Sequence, residues 1–174
     1  MPDVRERVEA DRGLLKKLQL IIPGYAGYRR REDIRAADNI LRIQLSDRIK
    51  AVRGDLEGIR DQMSMDGKYQ GLQSIGNSIF TLQGLEGKIR HAEGGYSGIS
   101  ATIRIEETEL DKLYEYDWAM FEALDRAATV VPMVRDAGDT KSFDASLRAF
   151  NEAVKAFEGA WNLRMEAVTG TQVR

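Results

Sequence analysis

Residues 34–63 read IRAADNILRIQLSDRIKAVRGDLEGIRDQM. The apolar positions are Ile34, Ala37, Leu41, Leu45, Ile49, Val52, Leu56, Ile59 and Met63. Every step between them is three or four residues, and the mean step lies at about 3.6, the turn of an α-helix. This is one stripe on a helix of about 35 residues, roughly 50 Å long at 1.5 Å per residue. One short neighbour cannot cover a stripe of that length. The stretch therefore predicts long antiparallel partner helices and sets the fold class.

The partners are legible on either side. Val4, Val8, Leu15, Leu18 and Ile22 form a first helical segment that ends at Pro23. Leu72, Ile75, Ile79, Leu82, Ile89 and Ala92 form a third. The fourth shows Leu110, Leu113 or Tyr114, Trp118, Phe121, Leu124, Ala128 and Val131. It should stop or kink near Pro132, because proline removes a backbone donor and clashes with the preceding turn. Phe143, Leu147, Phe150, Val154, Phe157, Trp161, Met165 and Val168 form the last stripe, with Gly138-Asp139-Thr140 before it as turn and N-cap. ISATIRI, residues 99–105, alternates in the manner of a strand, but is read as the first turns of helix four. The expectation is an all-α fold: an elongated antiparallel helical bundle of about five helices. It forms one domain over 1–174, with a helical core of about 3–168 and a short flexible tail at 169–174.

Glycine is unusually frequent in the middle segments. Gly71, Gly76, Gly84 and Gly87 fall in or beside helix three, and Gly54 and Gly58 lie four apart on helix two. Close backbone packing between the two helices is the expected reason; a weakened region over 54–95 is the alternative. The pattern Gly-Tyr-x-Gly occurs at residues 24–27 and again at 95–98, at two interhelical bends. Shared turn chemistry explains the echo, since glycine permits positive backbone angles. A duplicated hairpin is the other explanation.

Composition narrows the function classes. The 174 residues contain no cysteine, which excludes disulfides and thiolate metal sites. The start, MPDVRERVEADRG, lacks the apolar core of a secretory signal, and no apolar run approaches the ~20 residues of a membrane helix. A cytoplasmic, soluble protein is expected. The net charge of −2 is unevenly spread: residues 1–60 carry fourteen Lys or Arg against ten Asp or Glu, whereas residues 103–126 carry eight acids against three bases. Ordinary solvated helix faces account for this, and a bipolar surface is the sharper reading.

The usual catalytic motifs fail. Gly84-Leu85-Glu86-Gly87-Lys88-Ile89 has the wrong spacing for a phosphate loop and lacks its hydroxyl. Gly95-Tyr96-Ser97-Gly98 lacks a spacer residue of the nucleophile elbow. Around Asp66-Gly67 a Ca²⁺ loop would need carboxylates where Gln62 and Gln73 stand. A di-iron bundle needs Glu-x-x-His pairs, but the one histidine, His91, has no acid at 88 and suits a helix C-terminus.

Two charged features are left. Glu107, Asp111 and Glu115 share a helix face; such a row is ordinarily solvated, and could otherwise hold a divalent cation or act as an acid–base pair. Asp117, between Tyr116 and Trp118, lies close to the apolar stripe and needs a partner, for which an arginine of helix two is the natural candidate. Arg29, Arg30 and Arg31 crowd a helix N-terminus, the positive end of its dipole. They pair either with the acidic row of helix four or with an external anion, through arginine's planar donor fork. Tyr25 and Tyr28 are expected to close the bundle end with rings inward and hydroxyls outward.

IPGYxGY followed by an arginine- and alanine-rich helix, together with EETELDKLYEYDWAMFE, resembles an uncharacterised family of prokaryotic helical proteins. The resemblance covers about residues 20–45 and 95–122 and implies a small cytoplasmic bacterial or archaeal protein. It carries no established activity and no functional residues with it. The reading is thus a non-catalytic helical scaffold or adaptor that binds another protein or a second copy of itself, with no cofactor and no metal. Its candidate interaction site is Tyr25, Tyr28, Arg29, Arg30, Arg31, Tyr96, Glu107, Asp111 and Asp117. The alternatives are an anion-binding module that uses Arg29, Arg30 and Arg31 for nucleic acid or membrane phosphate, and a carboxylate or metal enzyme built on Glu107, Asp111 and Asp117.

Overall fold

The computed structural model describes residues 4–27, 31–92 and 107–170, with side chains placed within 13–27, 36–92 and 111–168. Five helices follow one another: α1 (Val4–Ile21), α2 (Arg31–Met65), α3 (Leu72–Arg90), α4 (Glu107–Arg135) and α5 (Thr140–Gly170). No strand occurs among the described residues. The fold is all-α. ISATIRI, Gly95-Tyr96-Ser97-Gly98 and the tail from 171 onward lie outside the described residues.

The long stripe of α2 is buried as its spacing requires. Ala37, Leu41, Leu45, Ile49, Val52, Leu56 and Ile59 are core residues, and Met63 is half-buried. α2 spans 35 residues, the expected length. The stripe of α5 is buried from Phe143 to Trp161. α4 departs from its expected stripe in two places. Ala127, not Ala128, is in the core, and Asp117 takes the fully buried position while Trp118 is only half-buried. The helix also runs one turn past Pro132 to Arg135. The carbonyl that proline leaves without a donor belongs to Ala128, an exposed residue that water can reach.

Local chemistry ends each helix. Pro23 and Gly24 occupy the central positions of a turn closed by Tyr25 N–H on Ile22 O, and Gly24 takes the φ of +80° that such a turn requires. α2 ends in a Schellman motif: Lys68 N–H reaches Met63 O, Gly67 N–H reaches Ser64 O, and Gly67 has φ of +70°. Gly71 (φ +90°) stands where a Cβ would lie 2.5 Å from the Phe143 ring. α5 begins on Asp139, whose Oδ1 accepts the Ser142 N–H at 2.7 Å.

Cross-contacts give the directions of the helices. Arg53 reaches Glu86 and Arg42 reaches the carbonyl of Arg90, so α2 and α3 are antiparallel. Asp38 and Asp117 meet on Arg164, and further along both helices Arg48 reaches Asp125, so α2 and α4 run side by side in the same sense. Thr140 meets Gln70, Ser78 meets Asn151, and Lys88 meets Asn162, so α3 and α5 are likewise parallel neighbours. Two antiparallel hairpins, α2–α3 and α4–α5, therefore stack with like directions facing. The N-termini of α2 and α4 and the C-termini of α1, α3 and α5 gather at one end. Among the described residues, nothing lies within 4 Å of where a Cβ would stand at Gly54, Gly58, Gly84 and Gly87, and Gly76 meets the flexible Arg60 side chain of α2 rather than its backbone. Gly54, Gly58 and Gly84 are exposed and Gly76 and Gly87 half-buried, with no backbone-to-backbone contact at any of them, which corrects the close-packing expectation.

Candidate functional site

At the end where the termini gather, four charged side chains are buried among apolar ones. Asp38 and Arg42 come from α2, Asp117 from α4 and Arg164 from α5, and none is more than 6% exposed. Helical periodicity puts each of them there. Asp38 and Arg42 follow Ala37 and Leu41 by one residue, on the edge of the buried stripe, and Arg164 lies three residues after Trp161.

The geometry is closely paired. Arg164 Nε donates to Asp117 Oδ1 at 2.6 Å, and its Nη2 lies 2.9 Å from Asp38 Oδ1. Arg42 Nε donates to Asp38 Oδ2 at 2.8 Å, and its Nη1 donates to the carbonyl of Arg90 at 3.2 Å. Tyr25, 3% exposed, donates its hydroxyl to Asp117 Oδ2 at 3.1 Å. Among the described side chains, two carboxylates thus face two guanidiniums. Such burial is tolerable only when each charge is paired and each remaining donor or acceptor is satisfied. No described buried side-chain polar atom lacks a hydrogen-bond partner. At the rim, Arg90 continues outward to Ser46 and Asp47.

The cluster joins the α1–α2 turn, α2, α4 and α5, with the last carbonyl of α3. Both oxygens of Asp117 already accept hydrogen bonds, one from a cation and one from a phenol. The arrangement is suited to fixing the register of the helices against one another. Among the described residues, no group of three His, Asp or Glu side chains is placed to hold a metal ion.

Of the residues picked from sequence, Tyr25 and Asp117 come together here. Two details differ from expectation. The Tyr25 hydroxyl points inward, because a buried carboxylate needs it more than water does. The arginine that meets Asp117 is Arg164 of α5 rather than one of α2; Arg42 of α2 serves Asp38. Asp111 is half-buried on α4, and Glu115 is exposed. Tyr28, Arg29, Arg30 and Tyr96 lie outside the described residues, as do the side chains of Arg31 and Glu107. The proposed pairing of the arginine block with the acidic row therefore falls outside them too. Asp38, Arg42 and Arg164 were missed in the sequence. The available signal was a charge within one residue of an apolar stripe, twice on α2 and once on α5, as for Asp117 on α4.

The other described charges are half-buried or exposed. Arg53 bridges Glu57 and Glu86, and the Glu57 hydrogen bond holds its guanidinium pKa above the usual arginine value. The Ser142 backbone N–H holds the Asp139 carboxyl below the usual aspartate value. An open groove between α4 and α5 is lined by Trp118, Glu122, Arg126, Val130 and Ala153, and Lys17 stands over the Trp118 ring at 5.1 Å. No helix among the described residues is long and apolar enough to cross a membrane. No protein-family model, no curated protein and no solved structure matches the chain.

Proposed function

We propose that this protein is a non-catalytic helical scaffold that works by presenting the outer face of its α2–α3 hairpin to another protein chain. The observation that carries this reading is on that face. Phe80 is 77% exposed in the middle of α3, and Gly54, Gly58, Gly84 and Gly87 leave bare backbone on the outside of the same hairpin. A glycine inside a helix costs up to about 1 kcal/mol relative to alanine. Among the described residues nothing packs against any of these four, and none has positive φ. An approaching chain that packs against the bare backbone accounts for them. The buried cluster supports the same reading, since its charges hold helices together and Asp117 is engaged on both oxygens.

A photoactivatable crosslinking residue at position 80, in cells, tests it. Protein adducts are expected at 80 and not at position 148, an exposed site on α5. Equal yields at the two positions, or none at 80, would overturn the proposal.

A further inference from the structure

We infer that the chain on this face is a second copy, related by a twofold axis that crosses α3 at Leu82 and sets α3 antiparallel to α3. The inference rests on the docking-face reading above and names its occupant. Gln73, Asn77, Phe80, Gly84, Gly87 and His91 recur every three or four residues and share the side of α3 opposite the buried Ile75, Leu82 and Ile89. All but the half-buried Gly87 are exposed. The stripe holds no Asp, Glu, Lys or Arg, so two copies meet along it without repulsion between carboxylates, ammoniums or guanidiniums.

The stripe is complementary to itself in shape. Antiparallel pairing about Leu82 puts Phe80 of each copy against Gly84 of the other, and Asn77 against Gly87. The largest side chain of the stripe thus meets a position with none, where the space within 4 Å is empty. A twofold contact uses one patch twice and closes, so no open filament results.

The neighbouring helix is complementary in charge. Arg53 reaches Glu86 and Arg60 lies over Gly76, so Leu82 of α3 is level with Leu56 of α2. The same axis then passes midway between Gly54 and Gly58 and brings Lys50 of one copy to Asp61 of the other. Both residues are exposed, at helical spacings of four and seven from Gly54 on the outer side of α2. Neither has an ion-pair partner among the described residues. Opposite charges at the rim of a patch fix its register.

Sedimentation equilibrium of the purified full chain tests the inference. At about 100 µM, where an interface of even micromolar strength is populated, the wild type is expected to be a dimer. Phe80→Asp should weaken association at least about tenfold, the loss of one central aromatic anchor, with an unchanged far-UV CD spectrum. Lys50→Asp and Asp61→Lys should each weaken it, and the two together in one chain should restore it. The chain has no cysteine, so an Asn77→Cys protein mixed with a Gly87→Cys protein should form one disulfide-linked species on oxidation. A monomeric wild type, a Phe80→Asp dimer of undiminished strength, or 77-to-77 linkage in preference to 77-to-87 would overturn it. A monomer that still yields adducts with other proteins at position 80 in cells sinks only the self-pairing. A monomer without adducts sinks the docking face as well.

Discussion

Arg164 ties three helices together in the buried cluster: it is 1% exposed and from α5 serves a carboxylate on α2 and another on α4 at once. Removing it takes one cation from each of two buried carboxylates, Asp38, which keeps Arg42, and Asp117, which keeps the Tyr25 hydroxyl. Arg164→Met should cost about 3–5 kcal/mol, the range for breaking a buried pair from one side. Asp117→Leu combined with Arg164→Met should cost less than Arg164→Met alone, because Asp38 keeps Arg42 and the buried Asp117 carboxylate is removed together with its cation. Urea unfolding followed by CD gives both values. A double variant as unstable as the sum of the two singles would mean that Arg164 and Asp117 are not energetically coupled, and the cluster would then be a set of independent contacts. Asp117 also marks where sequence reading stopped. Trp118 is far more apolar than its neighbour, so hydropathy puts the tryptophan in the core and leaves the aspartate at the edge. Asp117 occupies the core position because Arg164 and Tyr25 arrive from 47 and 92 residues away in sequence. Those partners follow from how the helices stack, which no local pattern contains.

The five helices were legible because each has a stripe at helical spacing and chemistry at its ends. α2 and α5 follow their spacing almost residue for residue, and Asp139 caps α5 as its type and place suggest. Glycine was not legible in the same way. A missing side chain suits close packing, a bend, or an open face equally well, and only the fold separates these. Substitution should now separate them. Gly71→Ala places a Cβ against the Phe143 ring at φ of +90° and should destabilise by about 1–2 kcal/mol. Gly54→Ala and Gly58→Ala meet open space at ordinary helical angles and should each stabilise by about 0.5–1 kcal/mol. Thermal melts at concentrations where the chain is monomeric check both signs, and a loss at Gly54 or Gly58 would mean that the bare backbone serves the monomer itself. The cap of α5 has a pH signature. The Ser142 N–H lowers the folded pKa of Asp139 below its ordinary 3.8, so its contribution is present above that value and is lost as pH falls through the folded pKa. The stability difference between wild type and Asp139→Asn should therefore favour the wild type at neutral pH and shrink below about pH 4. A difference independent of pH would show that the cap acts without its charge.

At the scale of the whole molecule the two hairpins are joined by different means at the two ends. One end is held by the buried cluster, through which Arg164 links α5 to α2 and α4. The other is held by the Phe143 ring against Gly71, with Thr140 on Gln70 and Ser78 on Asn151 nearby. The middle is apolar throughout, from Leu45 and Ile49 to Phe121, Leu124, Phe150 and Phe157. Apolar contact resists pulling apart but tolerates sliding, because one Leu or Phe replaces another along a uniform stripe. Directional ion pairs do not tolerate it, since a shift of one helical turn, about 5.4 Å, separates every charge in the cluster. The cluster therefore sets register as well as stability, and its loss should be felt most at its own end. Native-state hydrogen exchange on Arg164→Met should show lowered protection in residues 37–46 of α2, 113–121 of α4 and 157–168 of α5. Protection in residues 72–80 and 143–151 should fall less. Uniform loss over all four long helices would instead mean that the ion cluster holds the whole bundle as one cooperative unit, with the apolar seam alone too weak to keep the opposite end closed.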